Sequence, residues 1–313
     1  MSKVKSYLSL IKFSHTIFAM PFALIGFFVG LLYPKTIEYG VRQWNLNTTV
    51  GGSWHQDPNV IAWIEIGTKF LLVIGCMIFA RSAAMAFNRY LDRKFDAKNP
   101  RTAIREIPSG ILKENNVLWF TIASCLLFIA CCFFINRLCF YLSPVALAVV
   151  LGYSYTKRFT PLCHLILGLG LSLAPIGAFI AVTGFFSFLP IIFSGVVLFW
   201  VSGFDIIYAL QDEQFDKENK LYSMPAWLGK VKALRISELL HVLSTGAVIV
   251  AGWYGNFGWL FWTGAAIFIG LLIYQHSIVK PTDLKKVNLA FMTANGIASV
   301  VFAIFVIADL FIN

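Results

Sequence analysis

The amino-acid sequence predicts an all-α integral membrane protein, a bundle of about nine transmembrane helices. Of its 313 residues, 58% are hydrophobic and 13% are charged, against roughly half and a quarter in an ordinary soluble domain. The apolar residues form long stretches, and most of these approach the ~20 residues that a membrane-spanning helix needs. The cations gather between alternate stretches, as they do in membrane proteins. The composition therefore argues against a water-soluble globule.

Nine stretches are dominated by Leu, Ile, Val, Phe, Ala and Gly. They are residues 8–32, 60–87, 117–135, 138–152, 163–183, 189–211, 239–254, 258–275 and 289–312. Only Asn136 and Arg137 separate the third stretch from the fourth, so the boundaries are approximate and eight or ten spans also fit. The first stretch follows a short basic N-terminus but runs on through Pro21 without a small-residue cleavage site, which favours a span over a signal peptide. We expect one continuous helical bundle.

The charge distribution predicts the orientation of the bundle. A net charge of +10 in a soluble chain could indicate nucleic-acid binding. Here, with the N-terminus inside, 19 of the 25 cations fall in the inside segments, whereas the outside segments hold only Lys35, Arg42 and Arg137. The positive-inside rule therefore predicts a cytoplasmic N-terminus and an outside C-terminus, and attraction to anionic lipid accounts for most of the positive charge.

Two long inside loops, 88–116 and 212–238, are associated with acidic residues at helical spacing where a span ends. The first set, called the first ladder, is Asn88, Asp92 and Asp96, spaced i, i+4, i+8. The second ladder is Asp205, Asp212 and Asp216, spaced i, i+7, i+11. Each set returns to one helix face. Carboxylates at the end of a membrane helix are costly unless they face water, a cation or each other. Asp205 lies within the predicted span 189–211 and therefore indicates a functional site in particular.

Two facing carboxylate ladders beside basic loops suit binding of Mg²⁺ and a diphosphate. Mg²⁺ is bound by one or two carboxylates together with phosphate oxygens. The loops supply cations that can grip phosphate and offset the charge of a leaving group. These cations are Arg101, Arg105, Lys157 and Arg158. The alternative is a solvated helix end of mixed charge, but two ladders on the same side of the membrane favour a site.

At these residues the chain resembles the UbiA superfamily of membrane prenyltransferases, in particular its 4-hydroxybenzoate polyprenyltransferase branch. The family's NDxxDxxxD motif stands here as Asn88, Arg89, Asp92 and Asp96, and its second motif, DxxxD preceded by an aspartate, as the second ladder. The resemblance covers the whole chain. It implies a single prenyltransferase domain over residues 1–313, with nine helices around a central cavity that opens to the cytoplasmic side and laterally to lipid.

The resemblance also implies roles for site residues. The predicted metal ligands are Asp92, Asp96, Asp212 and Asp216, and the predicted catalytic residues are these four with Asp205 and Lys157. The predicted substrate-binding residues are Arg81, Asn88, Arg101, Arg105, Tyr153 and Arg158. Among them Arg81 matches the arginine that contacts the acceptor's carboxylate, and Tyr153 a position near the diphosphate and acceptor. The alternatives are a structural ion pair of Arg81 with Asp205 or another aspartate, and for Tyr153 an interfacial belt tyrosine.

One position departs from the family pattern, because Arg89 stands where the family has an aspartate. A side chain at i+1 is expected to point away from the face of the first ladder. Arg89 is therefore expected either to touch phosphate directly or to face the lipid headgroups.

The predicted reaction is Mg²⁺-dependent transfer of a polyprenyl group from polyprenyl diphosphate to an aromatic carboxylic acid in quinone biosynthesis. The acceptor is 4-hydroxybenzoate or 1,4-dihydroxy-6-naphthoate, so the ubiquinone and menaquinone routes both stay open. Another enzyme of the superfamily, of the heme O or chlorophyll synthase type, is an alternative. A secondary transporter is less favoured because its charges would lie at the membrane midplane. A CDP-alcohol phosphotransferase would concentrate its aspartates in one segment.

Overall fold

The computed structural model describes residues 3–11, 18–33 and 58–313, and this part of the chain is helical apart from turns and one β-bridge between Lys280 and Asp283. The eleven α-helices of this part are α1 (Lys3–Leu10), α2 (Met20–Leu32), α3 (Pro58–Asp96), α4 (Glu114–Ile135), α5 (Arg137–Thr156), α6 (Cys163–Thr183), α7 (Phe188–Ala209), α8 (Glu213–Glu218), α9 (Met224–Tyr254), α10 (Trp259–Ile278) and α11 (Asn295–Ile312). A 3₁₀ turn at Leu210–Asp212 follows α7, and a π-helix at Leu289–Ala294 precedes α11.

The predicted all-α membrane bundle is confirmed. Within the described residues, eight helices are long and apolar enough to cross a membrane, and α2 is a ninth, shorter apolar helix of 13 residues. The outside loop 33–59, to which we assign no role, lies outside the described residues except at its first and last positions.

Two boundaries differ from the prediction. The first apolar stretch, 8–32, is not one helix, because α1 ends at Leu10 and α2 begins at Met20 with a proline in its first turn, where proline is well tolerated. Segment 212–238 is mostly helical rather than a long loop. Ser223 caps α9 by accepting a hydrogen bond from the backbone N–H of Ala226, and the helix then continues through the polar segment with an interruption at Gly229.

Small residues let α6 pack closely against two neighbouring helices. A Cβ atom at Gly26 of α2 would lie 2.0 Å from the carbonyl oxygen of Pro175. A Cβ at Gly168 of α6 would lie 2.3 Å from Ser202 Oγ of α7. Neither position can carry a side chain without moving a helix, as is common where membrane helices pack backbone to backbone.

An aromatic cluster fills the core around Trp200 of α7, which is fully buried. Its ring lies 5.3 Å from that of Phe22, 5.1 Å from Phe204 and 5.8 Å from Phe268. Such ring pairs add to the free energy gained by burial alone. The indole N–H donates a 2.9 Å hydrogen bond to Asn295 Oδ1. The cluster anchors α7, which carries Asp205 and leads into the 3₁₀ turn with Asp212 and into α8 with Asp216.

We expect Gly26→Ala to lower the free energy of unfolding by about 1–3 kcal/mol, because the added methyl group must separate α2 from α6. The matched control is Gly246→Ala in α9, where an added Cβ meets no atom within 4 Å. This control should leave stability unchanged or slightly raised. Thermal unfolding in detergent measures both, and equal melting temperatures for the two variants would contradict the packing interpretation.

Candidate active site

A polar cavity of about 680 Å³ lies between the C-terminal ends of α3, α5 and α7. Its walls are completed by the segment that follows α3 and by the π-helix. All twelve predicted site residues line it: Arg81, Asn88, Asp92, Asp96, Arg101, Arg105, Tyr153, Lys157, Arg158, Asp205, Asp212 and Asp216. Their chemical roles stay predictions.

The first ladder lies on the last turns of α3, which stays helical through Asp96. Asn88 Nδ2 donates a 3.1 Å hydrogen bond to Asp92 Oδ2 one turn later. Arg158 Nη2 donates to Asp92 Oδ1 at 2.8 Å, and Arg105 Nη1 donates to Asp96 Oδ1 at 2.6 Å. Each carboxylate of this ladder therefore holds one guanidinium group in the cavity.

The second ladder shows the same arrangement with different cations. Arg101 forms an ion pair with Asp212, in which its Nε donates to Oδ1 at 3.0 Å. Lys157 Nζ lies 2.8 Å from Asp216 Oδ1. The fully buried Asp216 also accepts a 2.8 Å hydrogen bond from Ser223 Oγ at the start of α9.

The two basic segments each serve both ladders. The segment after α3 sends Arg105 back to its own helix and Arg101 across to Asp212. The segment after α5 sends Arg158 to α3 and Lys157 to Asp216. Three of these four ion pairs connect different helix ends across the cavity, whereas Arg105–Asp96 stays at the end of α3.

The pairing holds its cations in the charged form. Burial acts to lower the pKa of Lys157, but the carboxylate of Asp216 outweighs it and raises the pKa above the usual lysine value. For Arg101 burial acts in the same direction, and Asp212 with Tyr208 outweighs it, so that its pKa is also raised. Both side chains therefore present a positive charge to an anionic ligand.

Asp205 lies about two helical turns before Asp212 and is bound differently. Its Oδ2 is 2.6 Å from Nδ1 of the buried His164, while the side chain keeps 24% exposure toward the cavity. His164 Nε2 accepts a 3.3 Å hydrogen bond from the backbone N–H of Met224, which assigns the imidazole proton to Nδ1. The expected alternative partner of Asp205 was Arg81, and its observed ionisable partner is this histidine.

Arg81 and Tyr153 lie where the polar cavity meets a second, apolar cavity of about 350 Å³. This second cavity runs between α3, α4, α5 and α6 and is lined by aliphatic side chains, with Phe128 and several cysteines. Leu167 and Leu171 of α6 also face both cavities. A ligand with a charged head and an apolar tail could occupy the two together.

Four contributors were not among the predicted site residues. Asn99 Nδ2 donates to Asp212 at 3.3 Å, and Tyr208 Oη accepts a 2.8 Å hydrogen bond from Arg101. His164 holds Asp205, and Arg89 lines the polar cavity. Tyr208 could have been found, because it precedes Asp212 by one helical turn.

The expectation that Arg89 points away from the ladder face is wrong. The side chain is only 5% exposed and faces the cavity, so it does not lie among lipid headgroups. The physical reason is that seven residues make nearly two full turns, which places Arg89 almost in line with Asp96.

The donor set suits Mg²⁺ shared with a phosphate group rather than a cage built by protein alone. No cluster of three or more His, Cys, Asp and Glu close enough to hold a metal occurs in the described residues. Carboxylate oxygens remain available, however, since Asp96 Oδ2 is buried without a hydrogen-bond partner in the described part. One or two carboxylates completed by phosphate oxygens and water is the coordination that Mg²⁺ favours.

The fold and cavity define a multi-pass membrane protein with an acidic and basic cavity at one end of its helices. Comparison with known proteins agrees with this class of protein. Residues 45–297 match the model of the UbiA prenyltransferase family. The chain belongs to this family.

Similar proteins cover nearly the whole chain. It is 30% identical over 289 residues to a 4-hydroxybenzoate octaprenyltransferase of Francisella tularensis subsp. mediasiatica, covering 91% of this chain and 97% of that protein. It is 28% identical over 233 residues to the octaprenyltransferase of the same name from Nitrosospira multiformis, covering 74% and 80%.

Solved structures share the fold. A UbiA homologue from Aeropyrum pernix K1 superposes with a TM-score of 0.72 at 25% identity, covering 95% of this chain and 97% of that one. A UbiA homologue from Archaeoglobus fulgidus, bound to DMAPP and Mg²⁺, gives a TM-score of 0.68 at 17% identity, covering 98% and 100%.

We expect Asp216→Asn to lower the free energy of unfolding by about 2 kcal/mol, because the amide leaves the ammonium group of Lys157 without its counter-charge. The matched control is Glu114→Gln, whose side chain is 51% exposed in its ion pair with Arg93. An exposed pair of this kind contributes less than about 1 kcal/mol. Thermal unfolding in detergent compares the two, and an equal loss in both variants would contradict the prediction.

Proposed function

We propose that this protein transfers a polyprenyl group from polyprenyl diphosphate to an aromatic carboxylic acid, with Mg²⁺ as cofactor. The observation that carries the proposal is the junction of two cavities. One is lined by two acidic ladders and their cations, and the other is apolar, and they meet at Arg81 and Tyr153. A diphosphate head and an isoprenoid tail match these two environments.

The relatives support the substrate classes. The similar proteins of Francisella tularensis and Nitrosospira multiformis are named 4-hydroxybenzoate octaprenyltransferases, which is consistent with an aromatic acid as acceptor. The fold neighbour from Archaeoglobus fulgidus is described with DMAPP and Mg²⁺ bound, which supports an allylic diphosphate and a magnesium ion as ligands here.

The donor head would lie between the ladders. Asp92, Asp96, Asp212 and Asp216 are the residues that would hold Mg²⁺, which neutralises charge on the departing diphosphate when bound. The cations now paired with these carboxylates, Arg101, Arg105, Lys157 and Arg158, would be the residues that donate to phosphate oxygens when the donor is bound. Each buried charge would then stay compensated before and after binding.

The acceptor would lie at the cavity junction with its carboxylate on Arg81, beside Tyr153. Loss of diphosphate breaks the allylic C–O bond, and attack by the ring forms the new C–C bond. The ring then loses a proton, for which Asp205 is the carboxylate at the cavity wall, held by His164. The surrounding apolar residues would exclude water from the intermediate cation.

Residues 1–313 are proposed to work as one transmembrane prenyltransferase domain. The cation distribution supports a cytoplasmic N-terminus and cytoplasmic active site, with the C-terminus on the opposite side. In a bacterial cell we expect the enzyme to lie in the inner membrane. Both 4-hydroxybenzoate and 1,4-dihydroxy-6-naphthoate carry a carboxylate and an activated ring, so both are acceptors to be tested.

We expect Asp92→Ala and Asp212→Ala each to reduce prenyl transfer at least about 100-fold, because each removes a carboxylate that would position the metal and diphosphate. The assay uses purified protein in vesicles, labelled polyprenyl diphosphate and each acceptor separately. EDTA should abolish the product and added Mg²⁺ restore it. Glu218→Ala, at the exposed end of α8, is the matched control and should keep wild-type activity. Activity of both aspartate variants equal to wild type would overturn the proposed site.

We expect Arg81→Ala to raise the KM for the acceptor at least about tenfold, because a charged hydrogen bond to its carboxylate is lost. The KM for the polyprenyl diphosphate should stay near the wild-type value. The control is an acceptor analogue without the carboxylate, whose slow prenylation Arg81→Ala should not reduce further. If Arg81→Ala lost activity equally on the aromatic acid and on the analogue without the carboxylate, carboxylate binding would be ruled out as the role of Arg81.

A further inference from the structure

Arg89 is a buried cation without a protein partner in the described residues. Its side chain is 5% exposed, and it makes no hydrogen bond or ion pair with any residue of the described ranges. Its Nε is buried and unpaired, while the side chain lines the polar cavity. A buried guanidinium group without a partner is costly, so a position that keeps one is suited to an anionic ligand.

The acidic side chains near Arg89 are engaged elsewhere. Its charged neighbours are Asp96, Arg105 and Glu106. The Asp96 carboxylate pairs with Arg105 at 2.6 Å, and Glu106 Oε1 accepts a 2.5 Å hydrogen bond from Ser9 of α1. Neither carboxylate comes within ion-pair distance of Arg89, so both act on its charge only from a distance and its guanidinium N–H groups stay available to a ligand.

The depth of Arg89 in the cavity indicates which anion it meets. Arg81 lies about two turns deeper on α3 and faces both cavities, whereas Arg89 lines only the polar one. Arg89 lies three residues, less than one turn, before Asp92, and Asp96 and Arg105 are among its charged neighbours, so it faces the level at which the ion pairs of the two ladders are found. This is the level of the diphosphate in the proposed function, and the acceptor carboxylate lies deeper.

We propose that Arg89 binds the diphosphate group of the prenyl donor directly, through its guanidinium N–H groups. The proposal deepens the proposed function and rests on it. A planar guanidinium can donate two parallel hydrogen bonds to one phosphate group. Unlike the other four cations at this level, Arg89 needs no exchange of partners before it binds. It is thus a ready anion contact at a position where the family motif has an aspartate.

The direct test measures binding of inorganic diphosphate to purified protein in detergent with EDTA present, by calorimetry, for wild type, Arg89→Ala, Arg89→Lys and Lys94→Ala. We expect Arg89→Ala to weaken binding at least about tenfold, as loss of a charged hydrogen bond should. Arg89→Lys should weaken it less, because lysine keeps the charge without the fork. The control Lys94 is exposed on the same helix, outside the cavity, and its variant should match wild type.

A second measurement uses prenyl transfer. Arg89→Lys should raise the KM for polyprenyl diphosphate and leave the KM for the aromatic acid unchanged. A rise in the acceptor KM alone, or unchanged binding of inorganic diphosphate in both arginine variants, would overturn the proposal. A melting temperature near that of wild type shows that a variant is folded. If Arg89→Ala is not folded, the comparison is made with Arg89→Lys alone.

The two proposals can fail separately. If wild type transfers no prenyl group but binds inorganic diphosphate in an Arg89-dependent way, the anion site stands and the proposed reaction does not. If prenyl transfer is observed while Arg89→Ala and Arg89→Lys bind diphosphate as wild type does, the reaction stands and the role of Arg89 is rejected.

Discussion

The arrangement of the site depends on four carboxylates that must find counter-charges at the membrane end of three helices. An uncompensated charge at this depth would cost several kcal/mol, and the chain avoids this with cations from two short segments. Because each segment contributes one cation to each ladder, the ends of α3, α5 and α7 cannot be positioned independently. The ligand-binding geometry is thereby a property of the whole bundle.

Packing among the membrane helices holds this arrangement in place. The aromatic cluster around Trp200 anchors α7, and the close contacts at Gly26 and Gly168 fix α6 between α2 and α7. Asn295 continues this support, since it accepts from Trp200 and donates to the carbonyl oxygen of Phe291 in the π-helix. Phe291 in turn packs its ring 4.3 Å from that of Tyr208, which holds Arg101. Core packing is thus connected to a cation of the site.

Much of the fold follows from local sequence patterns. Apolar length predicts the membrane helices, and helical spacing predicts that each ladder shares one face, because both properties depend on neighbouring residues. The helical start of α9 was missed because its first turns are polar, although Ser223 followed by Pro225 is a recognisable start signal. The position of Arg89 was misjudged by comparing it with Asn88, its immediate neighbour, instead of Asp96.

The sequence could not predict which charged residues pair in the folded protein. Spacing cannot show that Arg101 crosses to Asp212 while Arg105 returns to Asp96, because both cations lie on one irregular segment. The same holds for His164 and Asp205, which are 41 residues apart in the chain and meet only when α6 and α7 pack. Such contacts depend on the relative position of helices, which no local period encodes.

The rim of the apolar cavity has a consequence for the size of the donor. Val145 and Phe186 line this cavity and are yet 59% and 54% exposed on the outer surface of the bundle. The cavity is therefore open at the side, toward the lipid acyl chains. A binding site with an open side has no end wall against which a tail can be measured. The enzyme would then select its donor by the head group rather than by the length of the tail.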